Sequence, residues 1–334
     1  MAANTSSPLD RCAGLVFGFL FHNGRATRVS DDTIAGHAGH PHDWIWLHLS
    51  LADHRAKRFL ETFEPLPAAA REMMTTPHQD RIQFHLTPTG AFGVLPDIER
   101  DFADRSLGAG RLAFWFDAGH LVTTRLHSLR AVEHLRDAIL DGADMPGPLS
   151  ALVRLQEEFV GIVERRMMVL SADLGRIEDE VLADRDHIGS EVLGPLRREL
   201  SRYAREFSTL RGAIHRTMSA RHVVQGSPLL EHLPLLQQEA EDFERDTTAL
   251  SDRARLLYEE IGSRRADRTN RSLSALTVIS TLLLPPTFIA GAFGINVGGM
   301  PWAQNPQGFW IVMAVCVMMV VISYAVLRKF RILP

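Results

Sequence analysis

The chain has 334 residues, of which 23% are charged, a formal net charge of -4 and two cysteines. Taken whole, these figures describe an ordinary globular average. They hide a segregation: charge fills the first 271 residues and is absent from Ser272 to Leu327.

The N-terminus does not read as a secretory signal. The apolar stretch Ala13–Phe21 is short, follows Asp10 and Arg11, and has the character of a strand. Residues 1–126 read as an α/β domain. Strands are expected at Gly14–Phe21, Trp44–Leu49, Arg81–Thr87, Ala91–Leu95, Arg111–Phe116 and His120–Thr124, rich in aromatic and branched residues and punctuated by Gly, Pro and Asp. Asp117-Ala118-Gly119-His120 has the composition of a hairpin turn, and short helices fit Asp53–Thr62 and Ala68–Thr75.

Residues 127–271 read as a helical domain ending in a stalk. An amphipathic segment, His127–Asp141, closes at Asp141-Gly142 and the Pro146/Pro148 break. Two long helical patterns follow, Leu149–Ala183 and Ser190–Val224. The last helix carries Leu236, Ala240, Phe243, Thr247, Leu250, Ala254, Leu257 and Ile261 at alternating steps of four and three, a heptad-like seam. Continued through Leu284 it would hold ~50 residues and extend on the order of 75 Å.

Residues 272–334 read as a membrane hairpin with a basic tail. The spans are 272–293 and 309–327, each close to the ~20 residues needed to cross a hydrocarbon core. Between them the Gly/Pro/Asn-rich segment 294–308 cannot cross lipid as a regular helix and turns back at the far surface. Arg264, Arg265, Arg268 and Arg271 precede the hairpin and Arg328, Lys329 and Arg331 follow it. The positive-inside rule then places both termini in the cytoplasm of an inner-membrane protein and the loop outside. Cys12 and Cys316 fall in different phases of that topology, so no disulfide is expected.

Inside the first span Asn270, Ser274, Thr277 and Thr281 follow steps of four, three and four and line one helical face. Thr287, Gly291 and Asn296 extend that face approximately, beyond Pro285-Pro286. An uncharged polar stripe suits a hydrated cation, and one hairpin cannot enclose a water-filled path, so a ring of several copies is implied. The alternative is that the hydroxyls bond their own carbonyls and the small residues only pack helices.

The run Leu283-Leu284-Pro285-Pro286-Thr287-Phe288-Ile289-Ala290-Gly291-Ala292-Phe293-Gly294-Ile295-Asn296-Val297-Gly298-Gly299-Met300-Pro301 resembles the CorA-type divalent metal transporters. Asp43-Trp44-Ile45-Trp46-Leu47-His48-Leu49 and Phe92-Gly93-Val94-Leu95-Pro96-Asp97-Ile98 are similar to the zinc-transporting ZntB branch of that family. The resemblance implies a CorA-like homopentameric funnel with the α/β domain in the cytoplasm and the stalk helix continuing into a pore-lining span. It also implies a mouth signature at Gly294, Ile295 and Asn296, where the Asn296 amide oxygens meet the incoming ion. Thr287 and Gly291 become pore positions and Leu284 a hydrophobic constriction. Ile295 stands where the signature has Met, and Val297–Gly308 has no Asp or Glu to concentrate dications. Both departures are similar to the ZntB branch and favour zinc, with proton coupling as a further expectation. A magnesium/cobalt channel of the same family and a membrane-anchored cytosolic sensor or scaffold are the alternatives.

Of the 15 histidines, His37, His40 and His42 cluster on a Gly-rich segment and could share a zinc ion or remain solvated. Glu259 and Glu260, near the membrane end of the stalk, could attract cations inside a ring of stalks or form a solvated face with local pairs such as Glu241–Arg245. No phosphate loop, dinucleotide fingerprint or nucleophile elbow is present, so no enzyme, cofactor or nucleic-acid partner is expected. The partners are the lipid bilayer, divalent cations and other copies of the chain, and transport would run down an ion gradient.

Overall fold

The computed structural model describes residues 14–29, 43–76, 81–99, 109–183, 190–220, 224, 226–295, 301 and 305–329. They divide into two compact units, Met1–Arg255 and Leu256–Pro334.

The first unit is built on a seven-stranded sheet of order β2-β1-β3-β7-β6-β5-β4. The strands are β1 (Leu15–His22), β2 (Arg25–Arg28), β3 (Asp43–Ser50), β4 (Gln83–Thr87), β5 (Gly90–Ile98), β6 (Ala109–Phe116) and β7 (His120–Arg125). Only the β3–β7 pair is parallel; the other neighbours are antiparallel. The six expected strands are present, and β2 is an addition. Asn23 and Gly24 both have positive φ, 49° and 83°, the backbone of a two-residue hairpin turn that Asn-Gly favours. That dipeptide signalled the missed strand. At the predicted hairpin Asp117 Oδ1 accepts the backbone N–H groups of Gly119 (2.9 Å) and His120 (2.8 Å), closing the turn between β6 and β7.

Alternation along the strands sends two sets of side chains to two helical layers. On one face Ile45, Leu47, Val94, Trp115 and Val122 pack with Leu60 of α1 (His54–Thr62) and Met73 and Met74 of α2 (Ala68–Thr75). Asp53 caps α1 by accepting the Arg55 N–H at 2.9 Å. On the other face Phe17, Phe19, Trp44, Trp46, Phe114 and Phe116 meet α3 (Arg130–Leu140), α4 (Pro148–Leu182) and α5 (Ser190–Met218). This second layer is the larger core. Trp44 Nε1 donates to the Met145 carbonyl at 3.0 Å and Trp46 Nε1 to Thr123 Oγ1 at 2.8 Å, so both indoles are buried without losing their hydrogen bonds. His48 is also core: it lies stacked on Phe17 with Nδ1 2.8 Å from Thr123 Oγ1, and burial beside Arg125 and Arg136 holds its pKa well below the usual imidazole range.

Helix α5 stops at Met218, short of the expected Val224. After a 3-10 turn at Pro228–Glu231, α6 runs from Leu233 to Gly294, 62 residues without interruption. Its part within the first unit bundles with α4 and α5. Phe207 stacks on Phe243 (5.0 Å between rings) and meets Phe159 at a tilt (6.2 Å). Arg166–Glu199 joins α4 to α5 (2.7 Å), Arg211–Glu244 joins α5 to α6 (2.6 Å), and Arg253 pairs with Glu178 of α4. The heptad-like seam is therefore consumed inside the chain: Ala240, Thr247 and Ala254 are all buried there. Nearby, Asp242 rather than Glu241 takes Arg245 (3.3 Å), and Glu241 accepts from Gln237.

The second unit holds the rest of α6 and α7 (Gly308–Lys329). Each helix contains a stretch long and apolar enough to cross a membrane.

Candidate functional site

In the second unit the half-buried residues of α6 include Val278, Leu282, Pro285, Pro286, Ile289 and Ala292, with Arg264 and Ser280 half-buried outside that set, and those of α7 include Val312, Val315, Cys316 and Ser323. The α6 set repeats at steps of four and three, so one face is covered. Cys316 Sγ lies 3.9 Å from the Pro286 carbonyl oxygen, which puts α7 against that face.

Asn270, Ser274, Thr277, Thr281, Leu284 and Gly291 are all exposed. Each of Thr277, Thr281, Leu284 and Gly291 immediately precedes a member of the covered set. At 3.6 residues per turn the polar stripe therefore lies about 100° from the covered face. The second span leaves it open. Because α6 is unbroken through the prolines, the step after Leu284 falls on Phe288, and Thr287 stands about 100° to one side of the stripe. Phe288 is 76% exposed and Leu284 66%, which are large apolar side chains with nothing over them in a single chain. A Cβ added at Gly291 or Gly294 would meet no atom within 4 Å.

The threonine hydroxyls donate to their own helix: Thr277 to Leu273 O (2.8 Å), Thr281 to Thr277 O (2.8 Å) and Thr287 to Leu283 O (2.7 Å). The back-bonding alternative is thus present, yet it does not exhaust the groups. A hydroxyl has one hydrogen and two lone pairs, so committing the hydrogen to a carbonyl leaves the oxygen as an acceptor. Such an oxygen is suited to a cation or its hydration water. Pro285 and Pro286 add to this by lacking the N–H groups that would serve the carbonyls of Thr281 and Leu282.

At the end of α6 Ile295 donates its N–H to Ala292 O (3.4 Å) and is 57% exposed. Gly294 and Ile295 are the described part of the mouth signature; Asn296, like His37, His40 and His42, lies outside the described residues. Glu260 pairs with Arg264 at 2.6 Å, and Glu259 beside it is exposed. Among the described residues no three His, Cys, Asp or Glu side chains gather in a way that could hold a metal ion. Within one chain, Glu259 and Glu260 do not build a metal centre.

A large α/β and helical unit is followed by two C-terminal helices long and apolar enough to cross a membrane, the first with an open polar stripe, the layout of a membrane protein. The family model described as CorA-like Mg2+ transporter protein matches residues 41–329, and the chain belongs to that family of divalent cation transporters. It is 25% identical over 329 residues to the divalent cation transporter CmaX of Pseudomonas aeruginosa, covering 95% of this chain and 96% of that one. The structure of the full-length CmaX protein superimposes with a TM-score of 0.79 at 22% identity, over 95% of this chain and 98% of that one. The chain is 24% identical over 314 residues to the zinc transport protein ZntB of Yersinia pseudotuberculosis, covering 91% and 90% of the two. To the cobalt/magnesium transport protein CorA of Methanocaldococcus jannaschii it is 28% identical over 190 residues, 53% of this chain and 56% of that one. The complete structure of that protein superimposes with a TM-score of 0.67 at 19% identity, over 94% and 98% of the two chains.

Proposed function

We propose that the chain carries zinc across the inner membrane through a central pore lined by the first spans of a homo-oligomer, a pentamer, with both termini in the cytoplasm. The observation that carries this reading is the open polar stripe. Asn270, Ser274, Thr277 and Thr281 lie on a face that α7 does not cover, and uncharged oxygens on such a face can serve a hydrated cation only if other copies exclude lipid from it. The α7 spans would then form the outer layer.

Zinc is favoured by the mouth. Ile295 replaces the signature's Met, and segment 297–308 has no carboxylate to concentrate magnesium. The likeness to a named zinc transport protein over 91% of this chain supports the same choice. A magnesium/cobalt channel is the second reading, favoured by the family description and by the named cobalt/magnesium relative.

The test is flux into liposomes holding a trapped metal indicator, with and without an inward proton gradient. Zinc uptake that rises with the gradient is expected, and Asn296→Leu should abolish it while assembly is retained. Magnesium or cobalt uptake without zinc would select the second reading. Zinc flux in normally assembled Asn296→Leu would remove Asn296 from the mouth.

A further inference from the structure

A cavity of about 70 Å³ lies in the first unit, between α4, the 3-10 turn and the first turns of α6. Its apolar walls include Leu95, Leu152, Leu229 and Leu236. Its polar lining is Gln156, Glu157, His232 and Glu239.

Two features of that lining are unresolved within the chain. Gln156 is 9% exposed, and among the described residues neither its Oε1 nor its Nε2 has a hydrogen-bond partner. A buried amide left in that state is costly, and native proteins rarely keep one without a reason. Glu239 is half-buried with no ion-pair partner among the described residues, whereas Glu157 is held by Arg154 at 2.9 Å. Burial and the charge of Glu157 together raise the pKa of Glu239, the one of the two carboxylates that has no ion-pair partner among the described residues.

This lining constrains what can bind. The unpaired Glu239 carboxylate with Glu157 beside it disfavours an anion. A bare metal ion would need three or more ligating side chains brought together, and among the described residues no such group exists. Leucine walls disfavour a wholly polar guest. A short chain of methylenes ending in an ammonium suits this lining: its N–H groups are donors for the Glu239 carboxylate and Gln156 Oε1, and its carbons match the leucines. At ~10–15 Å³ per water-sized centre, the volume admits about five heavy atoms, the size of n-butylammonium.

We propose that this cavity binds a short primary alkylammonium, including one end of a linear diamine. Because Leu236 and Glu239 lie in the first turns of α6, the occupant braces the same helix that continues as the first span.

The experiment is calorimetric titration of the full-length protein in detergent with n-butylammonium and with putrescine, at constant ionic strength, with tetramethylammonium as the bulky control. Saturable binding of both amines at one per chain is expected, with at least a tenfold loss in Glu239→Gln and in Gln156→Leu. Tetramethylammonium, which has no N–H, should not bind. Glu239→Gln preserves shape, so a folding failure is not expected, and its thermal unfolding should match wild type without amine. Absence of saturable heat, equal binding by tetramethylammonium, or undiminished binding in Glu239→Gln would each overturn the site. The readout involves no flux, so its outcome is independent of which ion is transported.

Discussion

Asp97 Oδ1, near the end of β5, accepts the backbone N–H of Ala131 at 3.1 Å, so a β5 carboxylate caps the start of α3. The same oxygen takes the Ile98 N–H at 2.6 Å. The cap at Leu129 supplies no side-chain hydrogen bond of its own, and Asp97 replaces it across 34 residues of sequence.

Burial raises the pKa of Asp97 to about 7 despite those hydrogen bonds. Its unfolded value is about 3.9, so between about pH 4 and 7 the folded state binds a proton that the unfolded state has released. Stability therefore falls as pH rises through that window. Asp97→Asn keeps an oxygen for the helix and removes the titration. Relative to the variant, wild type should lose roughly 2–4 kcal/mol between pH 4 and pH 8, read by thermal unfolding of the detergent-solubilised protein. Parallel pH profiles for the two proteins would refute the linkage.

The α5–α6 junction separates packing from charge. Phe207 is 2% exposed and stacks on Phe243, and its replacement by Ala should cost about 3–5 kcal/mol through the lost ring and the cavity left behind. The neighbouring Arg211–Glu244 pair has side chains 43% and 25% exposed, so solvent screens it. Arg211→Met should cost less than about 1 kcal/mol. Chemical denaturation of both variants tests the order, and a larger loss in Arg211→Met would reverse the argument.

In the first span, Thr281 lies on the open stripe and Thr287 about 100° to its side. Valine has nearly the shape of threonine but no lone pairs. Thr281→Val should reduce zinc flux severalfold in assembled protein, and Thr287→Val should reduce it less. Normal flux in Thr281→Val, or a larger deficit in Thr287→Val, would remove the stripe from the ion path.

Much of this molecule is readable from local pattern. The uncharged run Ser272–Leu327 with its Gly/Pro/Asn divider announces two spans, because the length and polarity of a membrane-crossing helix are local properties. The strands of the first unit follow from β-branched and aromatic runs, and Asn23-Gly24 carried the signal for β2 as well. The face of polar residues from Asn270 to Thr281 was likewise legible, since helical spacing alone defines it.

What spacing could not supply is which face of a helix is covered, and by what. The seam from Leu236 to Ile261 has the repeat of a coiled coil between copies, yet Phe243 lies on Phe207 and Ala240 in the core of its own chain. Thr287 extends the stripe only approximately, since with α6 continuous through Pro285 and Pro286 it stands about 100° to one side of it. Asp97 on α3, Gln156 beside Glu239 at one cavity, and His48 sealed against Phe17 are also invisible to pattern. Such relationships join residues distant in sequence through packing, and a periodicity records only that a face is apolar or polar. The chain's local chemistry thus dictated two spans, a stalk and a polar stripe, while long-range packing chose which surfaces stay open for an ion or a ligand.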